Sequence, residues 1–412
     1  MQRVLILTAS FSPVLGGLQT VVCTLANNLS IKGHIIQVVT NRYPRTLPVY
    51  AVLDGVSIHR CLFLFPALSN LYRGRVDLYI ASFWFFPKTL LFLERLIQEF
   101  RPDVVNLHFP DSQIPFVIWL YRWFDFRLVV SLHGDEIERH FQADSPIITS
   151  HLKTHRKQLA TILRRADAVT ACSQDLLDKA THLEPSVANK GVVIYNGIDP
   201  ERFSDTSPYA YPHPYIFAFG RLTQEKGFDL LLESFARVAN AHPGLHLILA
   251  GAGEKADALQ TQATALGMQD RIVFFGRATP EQIVQLLNGA QLVVVPSRRE
   301  TFGIGALEAL AAGKPLLATR VGGMGEFLSQ VIANTGVDGL HPDDSMEGIG
   351  PITLVEPTVE AIELGLRRML AQDESGQRDA LQRIRSYVHQ AYSWQRTVEQ
   401  YEAVLTGTHS HA

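Results

Sequence analysis

The hydrophobic positions of this chain form short apolar runs that alternate with longer amphipathic stretches. In the first half the apolar runs are Val4–Thr8, Ile35–Thr40, Val104–His108, Leu128–Leu132, Ala168–Ala171 and Val192–Ile194. Between them, hydrophobic residues recur at helical spacing, as in Gly17–Lys32, Lys88–Phe100 and Ile147–Arg165. Apolar strands separated by helices indicate a parallel sheet covered on both faces. This half of the sequence therefore predicts a doubly wound α/β domain.

The same alternation starts again after a turn-rich segment, Ser204–Pro214, which we interpret as a linker. The predicted strands of the second half are Tyr215–Phe219, Leu245–Ala250, Ile272–Phe275, Leu292–Val295 and Leu316–Thr319. The predicted helices are Phe228–Ala241, Ala256–Leu266, Pro280–Asn288, Ile304–Ala312 and most of Val359–Thr406. We expect two Rossmann-like domains, 1–198 and 199–388, that face a shared cleft.

Composition narrows the class of protein. The 412 residues suffice for two or three domains, and 47% hydrophobic content excludes general disorder. The three cysteines, Cys23, Cys61 and Cys172, are far apart and show no CxxC spacing. A disulfide framework or a structural zinc site is therefore not expected, and a reducing cytosol is favoured.

Targeting signals and charge point to a soluble or peripheral protein. No basic segment precedes the first strand, and the uncharged run Leu78–Pro87 is too short to span a bilayer. The net charge of −3 divides into +5 for residues 1–196 (20 basic, 15 acidic) and −8 for the rest (17 basic, 25 acidic). This asymmetry is explained either by solvated helix faces or by a basic half that meets a membrane surface or an acidic acceptor. Nucleic acid is not an expected partner, since no binding motif occurs.

Three loops carry residues suited to an anionic ligand. Gly16-Gly17 opens a helix after the first strand, and Gly251-Ala-Gly253 follows a strand of the second half. Glycine lets the backbone approach a ligand, although each pair is also consistent with a tight turn. Arg221 and Lys226 lie between a strand and a helix, where an Arg and a Lys suit a diphosphate or simply flank a helix start.

The most specific motif is Glu300-Thr-Phe-Gly-Ile-Gly-Ala-Leu-Glu308, which follows a strand and a Pro-Ser turn. Glu300 precedes the predicted helix and Glu308 lies about one turn inside it. Carboxylates accept hydrogen bonds from vicinal hydroxyls, and the glycines leave helix-start amides exposed. An acid pair on a helix is usually a solvated face, but this arrangement of strand, turn and helix is much rarer.

Together these motifs resemble the family 4 retaining nucleotide-sugar glycosyltransferases, which have the two-domain GT-B fold. Nearly the whole chain takes part, in the family's order. The matching pieces are Gly16-Gly17, His133-Gly-Asp135, Tyr195–Asp199, Gly220-Arg221, Lys226-Gly227, Gly251–Glu254, the Glu300/Glu308 motif, Ala318-Thr319, Val321–Gly323 and Tyr392–Trp394. The segment Ile332–Glu356 is longer and more acidic than is usual, and Gly325 stands where proline is common.

The resemblance implies a role for each matching residue. Arg221 and Lys226 would hold the donor diphosphate, so that no metal or other cofactor is needed. Glu308 would bind the ribose, and Glu300 the transferred sugar. His133 would contact the donor sugar near the reacting carbon, and 389–412 would pack back on the first domain. The implied catalytic residues are His133, Glu300, Arg221 and Lys226. The implied donor-binding residues are Gly16, Gly17, Gly220, Arg221, Lys226, Gly251, Gly253, Glu300, Phe302, Gly303, Ile304 and Glu308.

The sequence gives fewer indications of the acceptor-binding residues than of the donor-binding residues. Asp135 and Asn196 are candidate acceptor contacts, although Asp135 could equally cap the following helix. The region Phe63–Leu96 combines aromatic residues with Arg73, Arg75 and Lys88, as either core or a membrane-facing surface would.

The predicted activity is transfer of a hexose-type sugar from a nucleotide-diphosphate sugar to a saccharide or lipid-linked hydroxyl, in cell-envelope or exported polysaccharide or glycolipid synthesis. The expected place is the cytoplasm, with peripheral attachment at the inner face of the membrane. A nucleotide-sugar epimerase, a two-lobed ligand-binding protein and a catalytically silent subunit are the alternatives.

Overall fold

The computed structural model describes residues 1–12, 17–66, 75–141, 146–205, 207–337, 339–340, 350–372 and 374–408. The chain divides into two compact units. Unit 1 comprises Met1–Tyr195 and Trp394–Ala412, and unit 2 comprises Asn196–Ser393. Each unit is built on its own sheet, so the predicted fold class of two doubly wound α/β domains is confirmed.

Unit 1 contains an eight-stranded sheet with the strand order β3-β4-β2-β1-β5-β6-β7-β8. The described pairings are parallel except for the antiparallel pair β3–β4. Its strands are β1 (Arg3–Thr8), β2 (Ile35–Asn41), β3 (Tyr50–Leu53), β4 (Val56–Cys61), β5 (Val104–His108), β6 (Arg127–Leu132), β7 (Ala168–Ala171) and β8 (Gly191–Val193). Its helices are α1 (Gly17–Ile31), α2 (Val76–Phe100), α3 (Ile114–Leu120), α4 (Asp135–Glu138), α5 (Pro146–Arg165), α6 (Gln174–Leu183) and, from the chain end, α14 (Trp394–Thr406).

Unit 2 contains a seven-stranded sheet with the order β11-β10-β9-β12-β13-β15-β14, and its described pairings are parallel. Its strands are β9 (Tyr215–Phe219), β10 (His246–Ala250), β11 (Ile272–Gly276), β12 (Leu292–Val295), β13 (Leu316–Thr319), β14 (Gly339–Leu340) and β15 (Ile352–Val355). Its helices are α7 (Phe228–Ala239), α8 (Ala256–Ala265), α9 (Pro280–Gly289), α10 (Ile304–Ala311), α11 (Gly322–Thr335), α12 (Val359–Leu370) and α13 (Glu374–Ala391).

Helix α2 is the largest difference from the sequence prediction, which placed its start at Lys88. The helix begins twelve residues earlier, at Val76, and continues through Pro87. Proline removes one backbone hydrogen bond, yet the helix has buried residues on both sides of it, Ser82 before and Thr89 after. Among the described residues, α2 is the one helix long and apolar enough to cross a membrane, and 22% of its most apolar window is buried. The sequence prediction counted only the uncharged run Leu78–Pro87, whereas the helix that contains this run is 25 residues long.

The last helix, α14, belongs to unit 1. Its inner residues Val398, Tyr401, Val404 and Leu405 are buried in the same hydrophobic cluster as β1, α1 and β2. Glu402 of this helix forms an ion pair with Lys32 (2.6 Å) and accepts a hydrogen bond from His34 Nε2 (3.0 Å). Residues 389–391, which the sequence prediction grouped with it, are the end of α13 in unit 2.

Candidate active site

The candidate donor residues of unit 2 follow three neighbouring strands of its sheet. Strand β9 lies between β10 and β12, and the chain builds the sheet outward in both directions from this point. In open parallel sheets, ligands bind beyond the carboxyl ends of the strands at such a reversal of strand order. The loops after β9, β10 and β12 carry Arg221, Gly251 and Glu300, so the fold brings these distant parts of the sequence together.

Ion pairs connect the loop after β9 to the loop after β12. Lys226 forms an ion pair with Glu300, and both side chains are largely buried, with 23% and 15% exposed. Ser297 Oγ lies 3.4 Å from the same Glu300 oxygen. The structure thus pairs two predicted catalytic residues directly. A cation beside a carboxylate at a helix start could hold a diphosphate and a sugar hydroxyl side by side.

Two further ion pairs strengthen this connection. Arg298 binds Asp229 through two nitrogens, at 2.6 and 2.7 Å, and Arg299 lies 3.1 Å from Glu225. The Arg298–Asp229 pair holds the pKa of Asp229 below its usual value despite burial, which acts in the opposite direction. Arg221 is exposed and, within the described part of the chain, forms no ion pair, so its guanidinium is available to a ligand.

The loop after β10 lies directly against the loop after β9. Gly220 N donates to Ala250 O at 3.0 Å, and Leu222 N donates to Ala252 O at 3.0 Å. A Cβ at Gly251 would lie 1.9 Å from Gly220 O, and the φ of Gly251 is +150°. Contact with a neighbouring backbone therefore already explains why glycine occupies this position, and Gly253 packs in the same way against Leu222 O.

Glu308 lies inside α10 with 13% of its side chain exposed, and Arg202 is its ion-pair partner at 2.7 Å. Burial raises the pKa of the Glu308 carboxyl, and the Arg202 charge and hydrogen bond act against this rise. Arg202 also donates to Pro280 O at 3.1 Å, so its guanidinium is held in place from a second side. Glu308 thus remains a fixed acceptor close to the start of the helix.

The start of α10 is formed by Gly303, which has a φ of +95° and precedes Ile304, the first helical residue. A helix leaves its first amides without partners inside the helix, and these favour an anionic or hydroxyl ligand. The ring of Phe302 points into the core, where it is 1% exposed and lies 5.2 Å from the ring of Phe327. A donor could therefore meet Phe302 only through its backbone.

In unit 1, His133 follows β6 and is 2% exposed. Its Nε2 lies 2.9 Å from Nδ1 of His108, at the end of the neighbouring strand β5. The ring of Phe109, a residue with a φ of +50°, stacks on His133 with centroids 4.1 Å apart. Burial lowers the pKa of His133 to about 3 and that of His108 well below its usual value. Both imidazoles are therefore neutral at physiological pH.

The hydrogen bonds of Asn106 determine which nitrogen of His133 carries the proton. Asn106 Nδ2 donates to Val129 O (3.2 Å) and to Ser131 Oγ (2.9 Å), so its Oδ1 is the atom that faces His108. Because Oδ1 can only accept, His108 Nε2 donates to it at 2.6 Å. The Nδ1 of a neutral His108 must then accept from His133 Nε2. His133 is consequently protonated on Nε2, and its Nδ1 carries a lone pair.

The two candidate acceptor residues have different surroundings. Asp135 is exposed in the first turn of α4, and Gly134 occupies the cap position, so the alternative that Asp135 caps this helix is wrong. Glu136 instead accepts from the His133 and Gly134 amides. Asn196 is 5% exposed and begins unit 2. Gly16 lies outside the described residues, and Gly17 is the first residue of α1.

Several residues at the site were missed by the sequence analysis. His108 and Asn106 are the polar members of the otherwise apolar strand β5, and polar residues in a buried strand are a usable signal. Glu136 and Arg202 gave no such signal, because their importance depends on contacts between distant segments. Among the residues that the structure describes, no group of three His, Cys, Asp or Glu side chains is arranged to hold a metal ion.

Comparisons with known proteins agree with this arrangement. The family model "Glycosyltransferase Family 4" matches residues 15–202, and the model "Glycosyl transferases group 1" matches residues 202–343. A glycogen synthase of Mycobacterium tuberculosis is 33% identical over 242 residues, which are 58% of this chain and 57% of that protein. The alignment thus spans little more than half the length of this relative.

Solved structures share the fold. Sucrose-phosphate synthase from Thermosynechococcus elongatus superposes with a TM-score of 0.73 at 18% identity, covering 99% of each chain. Anabaena Alr3699/HepE, in complex with UDP and glucose, superposes with a TM-score of 0.68 at 18% identity, covering 98% of this chain and 100% of that one. The two family models together cover residues 15–343, and the chain belongs to the glycosyltransferases that these models describe and has a GT-B fold. The family resemblance predicted from the sequence is confirmed.

Proposed function

We propose that this protein is a retaining, metal-independent hexosyltransferase. It would move a sugar from a nucleotide-diphosphate donor to a saccharide or lipid-linked hydroxyl, in cell-envelope or exported polysaccharide or glycolipid synthesis. The observation that carries the proposal is the ion pair between Lys226 and Glu300, next to Arg221 at the reversal point of the unit 2 sheet.

The donor would be held by charges of both signs. Arg221 and Lys226 would neutralise the diphosphate as it leaves, which is the role that a metal ion has in other transferases. Glu300 would accept from hydroxyls of the sugar, and Glu308, steadied by Arg202, would accept from the ribose. Gly303 and Ile304 would offer helix-start amides. Family membership supports retention, in which the leaving phosphate helps to deprotonate the acceptor on the same face.

His133 would take part as a neutral group. Its low pKa, caused by burial, makes an imidazolium unfavourable at neutral pH, so a charge-based role is disfavoured. The Nδ1 lone pair suits acceptance of a hydrogen bond from a sugar hydroxyl. The proposed acceptor contacts are Asp135, which is exposed two residues after His133, and Asn196. The proposed place of action is the cytoplasm.

The test starts with the full chain and a panel of UDP-, GDP- and ADP-sugars in thermal-shift experiments, followed by product analysis with saccharide and lipid-linked acceptors. A bound donor raises the melting temperature because it binds only the folded state. We expect one nucleotide class to stabilise the protein and Lys226→Ala and Glu300→Gln each to lower transfer by about 100-fold. Glu360→Gln, which changes an exposed ion pair of the same unit, is the matched control and should leave transfer unchanged.

Other outcomes separate the alternatives. Conversion of the donor to an epimer without any acceptor would identify an epimerase. A donor that binds tightly but is neither transferred nor hydrolysed would indicate a binding protein or a silent subunit. Product whose anomeric configuration is inverted would contradict the retaining mechanism, and loss of activity on chelation that added Mg²⁺ restores would contradict metal independence.

A further inference from the structure

Helix α2 of unit 1 has two opposite faces. Its inner residues are buried, among them Leu90, Leu93, Leu96, Ile97 and Phe100, the last at 4% exposed. Thr89 Oγ1 donates to Leu62 O at 2.9 Å, which attaches the middle of the helix to the domain. This face is part of the core of unit 1, and it could not leave without uncovering that core.

The outer face of α2 is a long apolar stripe. It consists of exposed residues at spacings of three, four or one, which places them on one arc of about 140° along about 28 Å of helix. Ile80 is 66% exposed, Phe83 59% and Trp84 73%. The members of the stripe are Val76, Ile80, Phe83, Trp84, Pro87, Lys88, Leu91 and Arg95.

Helix α3 brings one exposed tryptophan into contact with α2, and a second exposed tryptophan follows it in the chain. Trp119 of α3 is 44% exposed, and its Nε1 donates to Glu94 of α2 at 3.3 Å. Trp123, four residues further on, is 70% exposed. Aromatic side chains with a polar edge, next to an apolar helix face, are typical of surfaces that lie at the boundary between lipid acyl chains and headgroups.

The stripe carries two basic residues, and the acidic residues on the same arc of the helix, Asp77 and Glu94, each have a partner, since Asp77 forms an ion pair with Arg75 at 2.9 Å. Lys88 is the one charged residue between Leu78 and Leu93, and Arg95 follows two turns later. Within the described part of the chain neither forms an ion pair, whereas Glu94, the nearby acid, is engaged by Trp119. Two basic side chains without an ion-pair partner suit the phosphates of an anionic bilayer surface, and the apolar residues beside them suit its acyl boundary.

We propose that the outer face of α2, with Trp119 and Trp123, binds the surface of an anionic lipid bilayer, with the helix lying in the plane of the interface. Ile80, Phe83, Trp84 and Leu91 would enter the boundary region, and Lys88 and Arg95 would contact lipid phosphates. Length and composition alone would also permit a membrane-spanning helix, but its buried inner face contradicts that arrangement. Lipid binding by this surface is a property separate from sugar transfer, and the proposal does not depend on the proposed enzymatic activity.

Flotation of the full chain with vesicles tests the proposal, and it uses no sugar donor, so its result is independent of the enzymatic assay. We expect binding to phosphatidylcholine vesicles that contain phosphatidylglycerol to exceed binding to pure phosphatidylcholine by about tenfold at low salt, and to fall at high salt. The double variant Phe83→Ser/Trp84→Ser should lose about tenfold or more in binding to anionic vesicles. Lys88→Glu/Arg95→Glu should remove the preference for anionic lipid.

The matched control is Val49→Ser/Val52→Ser, which changes two valines of unit 1 that are each 59% exposed and lie outside the stripe. It should float as the unchanged protein does. Equal flotation of the Phe83→Ser/Trp84→Ser variant, or no flotation of the unchanged protein, would overturn the proposal. If the protein does not float but is a dimer that this variant converts to a monomer in light scattering, the face belongs to a second copy of the chain.

Discussion

A chain of buried polar side chains surrounds His133 in unit 1. Through a hydrogen bond of 2.6 Å, Asn106 determines which ring nitrogen of His108 carries the proton. Through a second hydrogen bond of 2.9 Å, His108 determines the same for His133. Thr170 Oγ1 donates to Ser131 Oγ at 2.9 Å, and Ser131 in turn accepts from Asn106. Buried networks of this kind impose one arrangement because each alternative leaves a polar atom unpaired.

The variant His108→Phe should therefore change the state of His133 while preserving the shape of the ring beside it. We expect turnover, measured as donor hydrolysis, to fall about tenfold, or about 1.4 kcal/mol in the barrier, with little change in KM. ¹⁵N spectra of the histidine rings should show His133 protonated on Nε2 in the unchanged protein and a mixture of both tautomers in the variant.

The second variant, His108→Gln, retains an acceptor oxygen for His133 and serves as the conservative comparison. It should recover part of the turnover that His108→Phe loses, whereas a purely structural role would make both variants equally poor. His213→Phe, an exposed histidine of unit 2, is the control and should leave turnover unchanged. A wild-type spectrum with His133 protonated on Nδ1 would contradict the deduced tautomer.

The ion pair between Arg202 and Glu308 leads us to expect a particular pH dependence of donor affinity. Burial raises the pKa of Glu308 and Arg202 opposes this rise, so Arg202→Ala should raise that pKa further. A protonated carboxyl loses acceptor capacity for ribose hydroxyls, so donor affinity that is present at high pH is lost as pH falls through the pKa. The midpoint of that loss should move to higher pH in the variant, with affinity about tenfold lower at neutral pH.

Calorimetric titration of the nucleoside diphosphate across pH measures this midpoint. In a Glu308→Gln background the side chain does not titrate, so adding Arg202→Ala should cause no further change in the pH dependence. A midpoint that still moves in that background would show that another group is responsible. Arg237→Ala, at an arginine whose ion pairs are exposed, is the control for loss of a positive charge in unit 2.

At the scale of elements, the loops after β9, β10 and β12 form one assembly. Backbone hydrogen bonds join the first two loops, and two ion pairs join the first to the third, which Arg298 also attaches to Asp229 at the start of α7. The position of each predicted donor residue therefore depends on all three loops. A change in one loop that leaves its own polar groups intact should still disturb donor binding.

Gly251→Ala tests this dependence, because its Cβ would lie 1.9 Å from Gly220 O and the backbone there must move. We expect the free energy of unfolding of unit 2 to fall by about 2–3 kcal/mol and donor affinity to fall about tenfold. Urea unfolding followed by circular dichroism and the donor titration measure the two effects.

The matched control is Gly244→Ala, where an added Cβ would meet nothing within 4 Å. Its unfolding free energy should change by less than about 0.5 kcal/mol, and its donor affinity should not change. Full donor affinity in a folded Gly251→Ala variant would show that the loops act separately.

At the scale of the whole molecule, the chain leaves unit 1 after Tyr195 and returns to it at Trp394. The return is fixed by burial of the inner face of α14 and by polar contacts, including Thr397 Oγ1 to Tyr195 O at 3.1 Å. Each unit thus contains its own candidate residues: His133 in unit 1, and Arg221, Lys226, Glu300 and Glu308 in unit 2. The stripe on α2 lies in unit 1 as well, which gives this unit a proposed lipid contact in addition to its proposed acceptor role.

The fold class and most elements could be predicted from the sequence, because buried strands and amphipathic helices leave periodic apolar patterns that tertiary contacts do not alter. Strands β5, β7, β9, β12 and β13 have the predicted bounds. The motif Glu300–Glu308 was recognisable because its residues are consecutive. The predicted start of α2 was wrong. Pro87 and the apolar residues of the outer face interrupt the amphipathic pattern, and without the packing partners this interruption is read as the start of the helix.

The contacts between distant residues could not be predicted from the sequence. Arg202 and Glu308 are 106 positions apart, Lys226 and Glu300 are 74 apart, and His108 and His133 are 25 apart. No local pattern encodes such pairs, since strand order in the sheet determines which loops adjoin. The same holds for α2, whose aromatic residues divide between core and surface. The sequence supplied the apolar side chains, and the packing of the inner face decided which of them remained exposed.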